Sequence, residues 1–362
     1  MNTPTTPQIS TAQATQKIAI ATVLGLSALL TACGNNSTDT GSNTSANNVE
    51  ILNVSYDVAR DFYKEYNPLF IQHYKNIDPN VNLVIKQSHG GSSKQALSVK
   101  NGLAADVVTM NQGSDVELLA DSRLVNANWR SAFKENAIPF TSAVVFLVRD
   151  GNPKNIADWG DLAKAGTEIV IANPKVSGNG RYAFLGAYGY GLHTFHQDKK
   201  QTQDFVKQLL GNVKVFENGG RAATTTFAQR GIGDVLITFE NEANVIKNTL
   251  GNVAIVYPSY TINTENPVAV VQSVSDKKGT TAIANEYLNY LYSDTGQELA
   301  VKLYLRPSNA EILAKHVDKF PVMTTFFAND VFGDWQSIMN TYFKEGAIYD
   351  QLAINATNQN SP

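Results

Sequence analysis

Three short stretches carry residue types that could hold a small charged molecule: "SHGGSSKQ" at 88–95, "NPKVSGNGRYAF" at 173–184 and "ENGGRAATTT" at 217–226. Each puts glycines beside small polar residues immediately before a segment of helical spacing. Ser92 stands in the first. Ser177, Gly178 and Asn179 stand in the second, and Gly219 and Gly220 precede Arg221 in the third. The first N–H groups of a helix have no partner within the helix, and the dipole makes that end positive. An anion can sit there without a formal counter-charge. One glycine turn before a helix is ordinarily a turn and one serine a cap. Three in one chain point to an oxyanion. None ends in the glycine-lysine-serine of a phosphate loop or has the downstream acid of a dinucleotide fingerprint, so a nucleotide is not favoured.

The elements that must position these turns alternate in type. Strands are predicted at 51–55, in "NLVIKQSHGG", in "ADVVTM", and at 142–148, 168–174 and 234–239. Helical spacing follows Asp57, follows Ser92 up to Gly102, and recurs in "TQDFVKQLL" and "RAATTTFAQRG". Alternation of this kind predicts an α/β fold with parallel sheets, in which ligands gather at the carboxyl ends of strands. Ser92 and Gln95 have capping-box spacing, so the Ser92 hydroxyl is expected to serve that helix.

Other candidates are weaker. His193 and His196 are three apart, but no cysteine or acid completes a metal site. Glu240 and Glu242 are two apart and do not share a helical face, which argues against paired acid–base carboxylates. His89 beside Ser92 lacks a nucleophile elbow and an ordering acid, so no catalytic residue is expected. The chain is read as a non-enzyme that needs neither metal nor cofactor.

Composition narrows the setting. The chain has 362 residues, 43% of them hydrophobic, and a formal net charge of −3. That is enough for a sizeable core in two domains and gives no basic excess for nucleic acid. The apolar run "IAIATVLGLSALL" at 18–30 is too short to span a bilayer and reads as the core of an export signal. It leads into "LTAC", which looks like a bacterial lipobox ending on Cys33, the chain's one cysteine. Residues 1–32 are thus expected to be a lipoprotein signal peptide, Cys33 the lipidated residue, and 33–48 a polar tether. A single cysteine leaves no internal disulfide.

Longer stretches carry a family resemblance. "NVSYDVAR", "QSHGGSSKQALSVKNGLAADVVT", "SAVVFLVRDGNPKNIADWGDL", "NPKVSGNGRY", "GGRAATTTFAQRGIGDVLITFENEAN" and "YLNYLYSDTGQELA" resemble the periplasmic sulfate- and thiosulfate-binding proteins of ABC importers. The resemblance runs from about Val49 to about Gln351. It implies a bilobal type II periplasmic binding protein: two α/β lobes joined by two crossover strands near 137–148 and 255–261. Lobe 1 would take 49–138 plus 260–350, and lobe 2 would take 145–255. It implies a monomer that binds sulfate or thiosulfate in the cleft and hands it to an inner-membrane ABC permease, tied to the membrane by its lipid. The ligand contacts it implies are the Asp57 amide, the hydroxyl and amide of Ser92, the Ser177 hydroxyl, and the amides of Gly178, Asn179 and Gly220. Two positions depart from the sulfate binders. Phe239 stands where many of them have a tryptophan whose indole N–H donates, and Asn179 stands where they tend to have glycine. Phe239 leans towards the thiosulfate-type relatives, for which an apolar wall would suit the sulfur.

Overall fold

The structure is a computed structural model that describes residues 47–359. The proposed signal peptide, Cys33 and nearly all of the tether lie outside the described residues. No helix among the described residues is long and apolar enough to cross a membrane.

The strands in chain order are β1 (Asn47–Tyr56), β2 (Val81–Gly90), β3 (Val107–Thr109), β4 (Phe140–Arg149), β5 (Ile169–Ala172) and β6 (Val213–Glu217). They are followed by β7 (Val235–Phe239), β8 (Val253–Val256), β9 (Tyr260–Glu265), β10 (Val268–Val270), β11 (Arg306–Pro307) and β12 (Thr324–Phe327). Two sheets result. The first has the order β10-β3-β1-β2, with β1 parallel to both β2 and β3 and β10 antiparallel to β3. The second runs β12-β9-β4-β7-β5-β6, with β8 and β11 also pairing with β4. There β5 is parallel to β6 and β7, while β4 is antiparallel to β7, β8 and β9.

The chain therefore leaves the first sheet after β3, builds the second from β4 to β9, and returns at β10. Residues 260–350 do not all stay with the first sheet. Strand β10 joins it, whereas β9, β11 and β12 pair in the second. Helix Ile348–Gln359 packs on helix Lys199–Gly211.

Strand β4 is apolar at every position from Ala143 to Val148, rather than at alternate ones, and its packing shows why. Val144, Phe146 and Val148 enter the main core on one face. Val145 and Leu147 enter a second cluster with Val170, Ala223, Phe227 and Leu236 on the other. A strand covered on both faces has no solvent side for polar residues to occupy.

Candidate functional site

The carboxyl ends of β1, β2, β5 and β6 each feed a turn, and these turns meet. Asp57 follows β1 and opens a 3₁₀ turn, Asp57–Ala59, ahead of helix Arg60–Ile77. Gly91 follows β2 and caps helix Ser92–Lys100. Ser177 caps helix Gly178–Thr194, and Gly219 caps the short helix Gly220–Thr224.

The glycines allow the approach. A methyl group on Gly91 would lie 3.1 Å from the Asn218 carbonyl and 3.3 Å from that of Val176. One on Gly219 would lie 2.6 Å from Asp57 Oδ2, and one on Gly178 1.9 Å from Asn111 Oδ1. Elements from both sheets are thus in contact at one place, and all seven candidate residues lie there or border it. Ser92, Ser177, Gly178, Asn179, Gly220 and Phe239 are buried, as is Asp57.

The capping-box expectation is corrected. Ser92 is the first helical residue rather than the cap, and its hydroxyl makes no cap bond. It donates to Asp115 Oδ2 at 2.5 Å and accepts the Asn111 N–H at 3.1 Å. Gln95 turns instead to Ser88, at 3.1 Å. Gly91 takes the cap position, where a side chain would crowd the Asn218 and Val176 carbonyls, and the serine falls one place inside the helix. Ser177 also makes no cap bond, although it occupies the cap.

Two arginines near the turns are engaged with acids and hydroxyls. Arg181 donates to Ser93 Oγ and to the Lys175 carbonyl at 3.2 Å, and lies 4.0 Å from Asp115. Arg221 pairs with Asp61 at 2.5 Å and with Glu242 at 3.5 Å, while its backbone N–H goes to Asp57 Oδ2 at 2.9 Å. Burial raises the carboxyl of Asp115 against the pull of Arg181 and its serine donors. Burial likewise raises Asp57, which is held down by the Arg221 and Val58 amides, and it pushes Glu242 up to about 7.

Phe239 ends β7 and packs edge-on against Tyr182, with ring centroids 5.9 Å apart. Several buried polar atoms around the turns have no hydrogen-bond partner among the described residues. Among them are Tyr56 Oη, Asn111 Oδ1, Gln112 Oε1, and both Nδ2 and Oδ1 of Asn179. A groove lined by Asp57, His89, Gly91, Lys94, Asn218 and Gly219 opens this junction to solvent.

Sequence reasoning missed Asn111, Gln112 and Asp115. The signal was present: "TMNQGSD" is another strand end followed by glycine and a helix, Gly113–Asp121. The remaining candidates fall elsewhere. His193 stacks on Tyr260 at 4.2 Å, and Glu240 forms an ion pair with Arg306 at 2.7 Å. The nearest partner of His89 is Ser55 Oγ, at 2.7 Å, rather than Ser92. No cluster of metal-binding side chains exists among the described residues.

Two α/β sheets whose strand ends converge on one polar, glycine-walled junction define a solute-binding protein. The comparisons agree. Residues 52–303 match the family model described as bacterial extracellular solute-binding protein, and the chain belongs to that family. It is a binding protein rather than an enzyme. It is 53% identical over 305 residues to a thiosulfate-binding protein of Pseudomonas aeruginosa, covering 83% of this chain and 91% of that one. It is 46% identical over 310 residues to a sulfate-binding protein of Escherichia coli, covering 85% and 94%. Among solved structures, the sulfate-binding protein SubI from Mycobacterium tuberculosis superposes with a TM-score of 0.74 at 31% identity, covering 82% of this chain and 99% of that one.

Proposed function

We propose that this protein captures sulfate and thiosulfate outside the cytoplasm and delivers them to an ABC permease. The observation that carries the reading is the meeting of strand-end turns from both sheets, with their small hydroxyls and first-turn amides, while Arg181 and Arg221 are held by acids and serines. The ligand contacts are the Asp57, Ser92, Gly178, Asn179 and Gly220 amides and the Ser177 hydroxyl, with Phe239 as a wall; the Ser92 hydroxyl joins them by turning its proton from Asp115 to the anion. Preorganised amides stabilise a desolvated dianion without the cost of burying a cation beside it. The assigned contacts are amide and hydroxyl donors, so a protonated oxyanion would turn its O–H towards a group that is itself donating, and an unmet buried donor costs on the order of 1–3 kcal/mol. The similarity to relatives named for both anions, with Phe239 offering no donor, supports binding of both. The protein is exported and anchored to a membrane through a lipid on Cys33, with 33–48 as tether, and serves the inner-membrane permease as a monomer. The first lobe takes 49–138 with β10 and helices Thr281–Asn289 and Asp294–Lys302, and the second takes 145–255 with β9 and β12.

Calorimetric titration of the purified protein with sulfate, thiosulfate, molybdate and phosphate tests the reading. Tight binding of sulfate and thiosulfate with phosphate silent is expected. Tight phosphate binding, or silence from sulfate and thiosulfate alike, would overturn it.

A further inference from the structure

Asn179 makes no side-chain hydrogen bond among the described residues. It is the second residue of helix Gly178–Thr194 and is only 2% exposed, yet neither its Nδ2 nor its Oδ1 has a hydrogen-bond partner among the described residues. A buried polar group left unpaired costs on the order of 1–3 kcal/mol. An alanine would spare that cost and is a better helix former, so local stability gives no account of an asparagine here.

Its surroundings give one. The carboxamide lies against Gly220: a methyl on that glycine would meet Asn179 Nδ2 at 3.0 Å and Val58 Cγ2 at 3.1 Å. Gly220 is one of the amides assigned to the anion. Tyr182, three residues on and so on the same helical face, packs edge-on against the Phe239 wall. The carboxamide therefore lies beside Gly220, on the helix face that also carries Tyr182, which packs on the Phe239 ring. It brings two N–H donors on a side chain with no hydrogen-bond partner among the described residues.

We propose that the Asn179 side chain is itself a ligand of the anion, donating an N–H to one of its oxygens and setting affinity together with the donorless Phe239. This rests on the oxyanion reading above. It adds a side-chain contact where only the Asn179 backbone amide was assigned. With that donor aimed at an oxygen and the phenyl ring forming the wall, the site suits an anion that has both oxygen and softer, weakly accepting surface.

The test is calorimetric titration of wild type, Asn179→Ala, Asn179→Asp and Ser177→Ala with sulfate and thiosulfate, alongside thermal melting without ligand. A hydrogen bond to a charged partner corresponds to a loss on the order of tenfold to a hundredfold in Kd for Asn179→Ala. The ligand-free melting temperature of that variant should equal or exceed wild type, which a merely structural asparagine would not allow. Asn179→Asp keeps the shape and turns the donor into a carboxylate, so it should bind more weakly still. It decides the matter if the alanine variant does not fold. Should Asn179→Ala bind within about twofold of wild type while Ser177→Ala is weakened, the side chain is no ligand and the oxyanion reading stands. Binding of neither anion by wild type removes both.

Discussion

Ser92 and Ser177 are both assigned to the anion, but they are held differently, and a single atom shows it. The Ser92 hydroxyl joins two elements, giving its proton to Asp115 and taking the Asn111 N–H. Ser177 Oγ makes no cap bond at all. Ser92→Ala strips a buried carboxylate of a donor and leaves a buried amide unmet, so it should destabilise the ligand-free protein by roughly 1–3 kcal/mol as well as weaken binding. Ser177→Ala should weaken sulfate binding by on the order of tenfold to a hundredfold with little change in stability. Urea denaturation paired with titration separates the two. Equal stability losses in both variants would contradict the distinction. Neither the Asp115 partnership nor the unpaired Asn179 amide was legible in the sequence. The first joins residues 23 apart on different helices, and spacing alone made Ser92 look like a cap. The second is a statement about what is missing around a side chain, which only packing can show.

The elements were far more legible. The strand of β4 follows from an unbroken apolar run, and those of β5 and β7 from runs bounded by turn residues; each falls within a residue or two of its expected place. The π-turn Thr225–Gln229 that prolongs helix Gly220–Thr224 was not, because its residues carry ordinary helical spacing. The glycines of "SGNGRY" open a helix for two packing reasons. Gly178 admits Asn111 Oδ1, while Gly180 packs on the end of β5, where a methyl group would lie 2.2 Å from the Ala172 carbonyl. Replacing a helical glycine by alanine ordinarily stabilises by about 1 kcal/mol. Here the neighbour is main chain and cannot swing aside, so overpacking of roughly 3 kcal/mol outweighs that gain. Gly180→Ala is expected to lower stability by about 2 kcal/mol, read from the urea midpoint; a stabilised variant would mean the strand end yields freely.

Across the whole molecule, the two sheets are joined by charge as well as by chain. Arg221, following β6, reaches Asp61 on the helix after β1, and Arg181 reaches Ser93 on the helix after β2. These contacts hold the strand ends of the two sheets together around the candidate site and engage its guanidinium groups, leaving amides and hydroxyls for the ligand. That arrangement is most directly tested by seeing where a tetrahedral dianion rests. Crystals grown with selenate, which has the charge and shape of sulfate and a strong anomalous signal, would place it. The account predicts one anomalous peak enclosed between the sheets, within hydrogen-bond reach of the Gly178, Asn179 and Gly220 amides and the Ser92 and Ser177 hydroxyls. A peak paired directly with an arginine or lysine, or bound elsewhere on the surface, would contradict it.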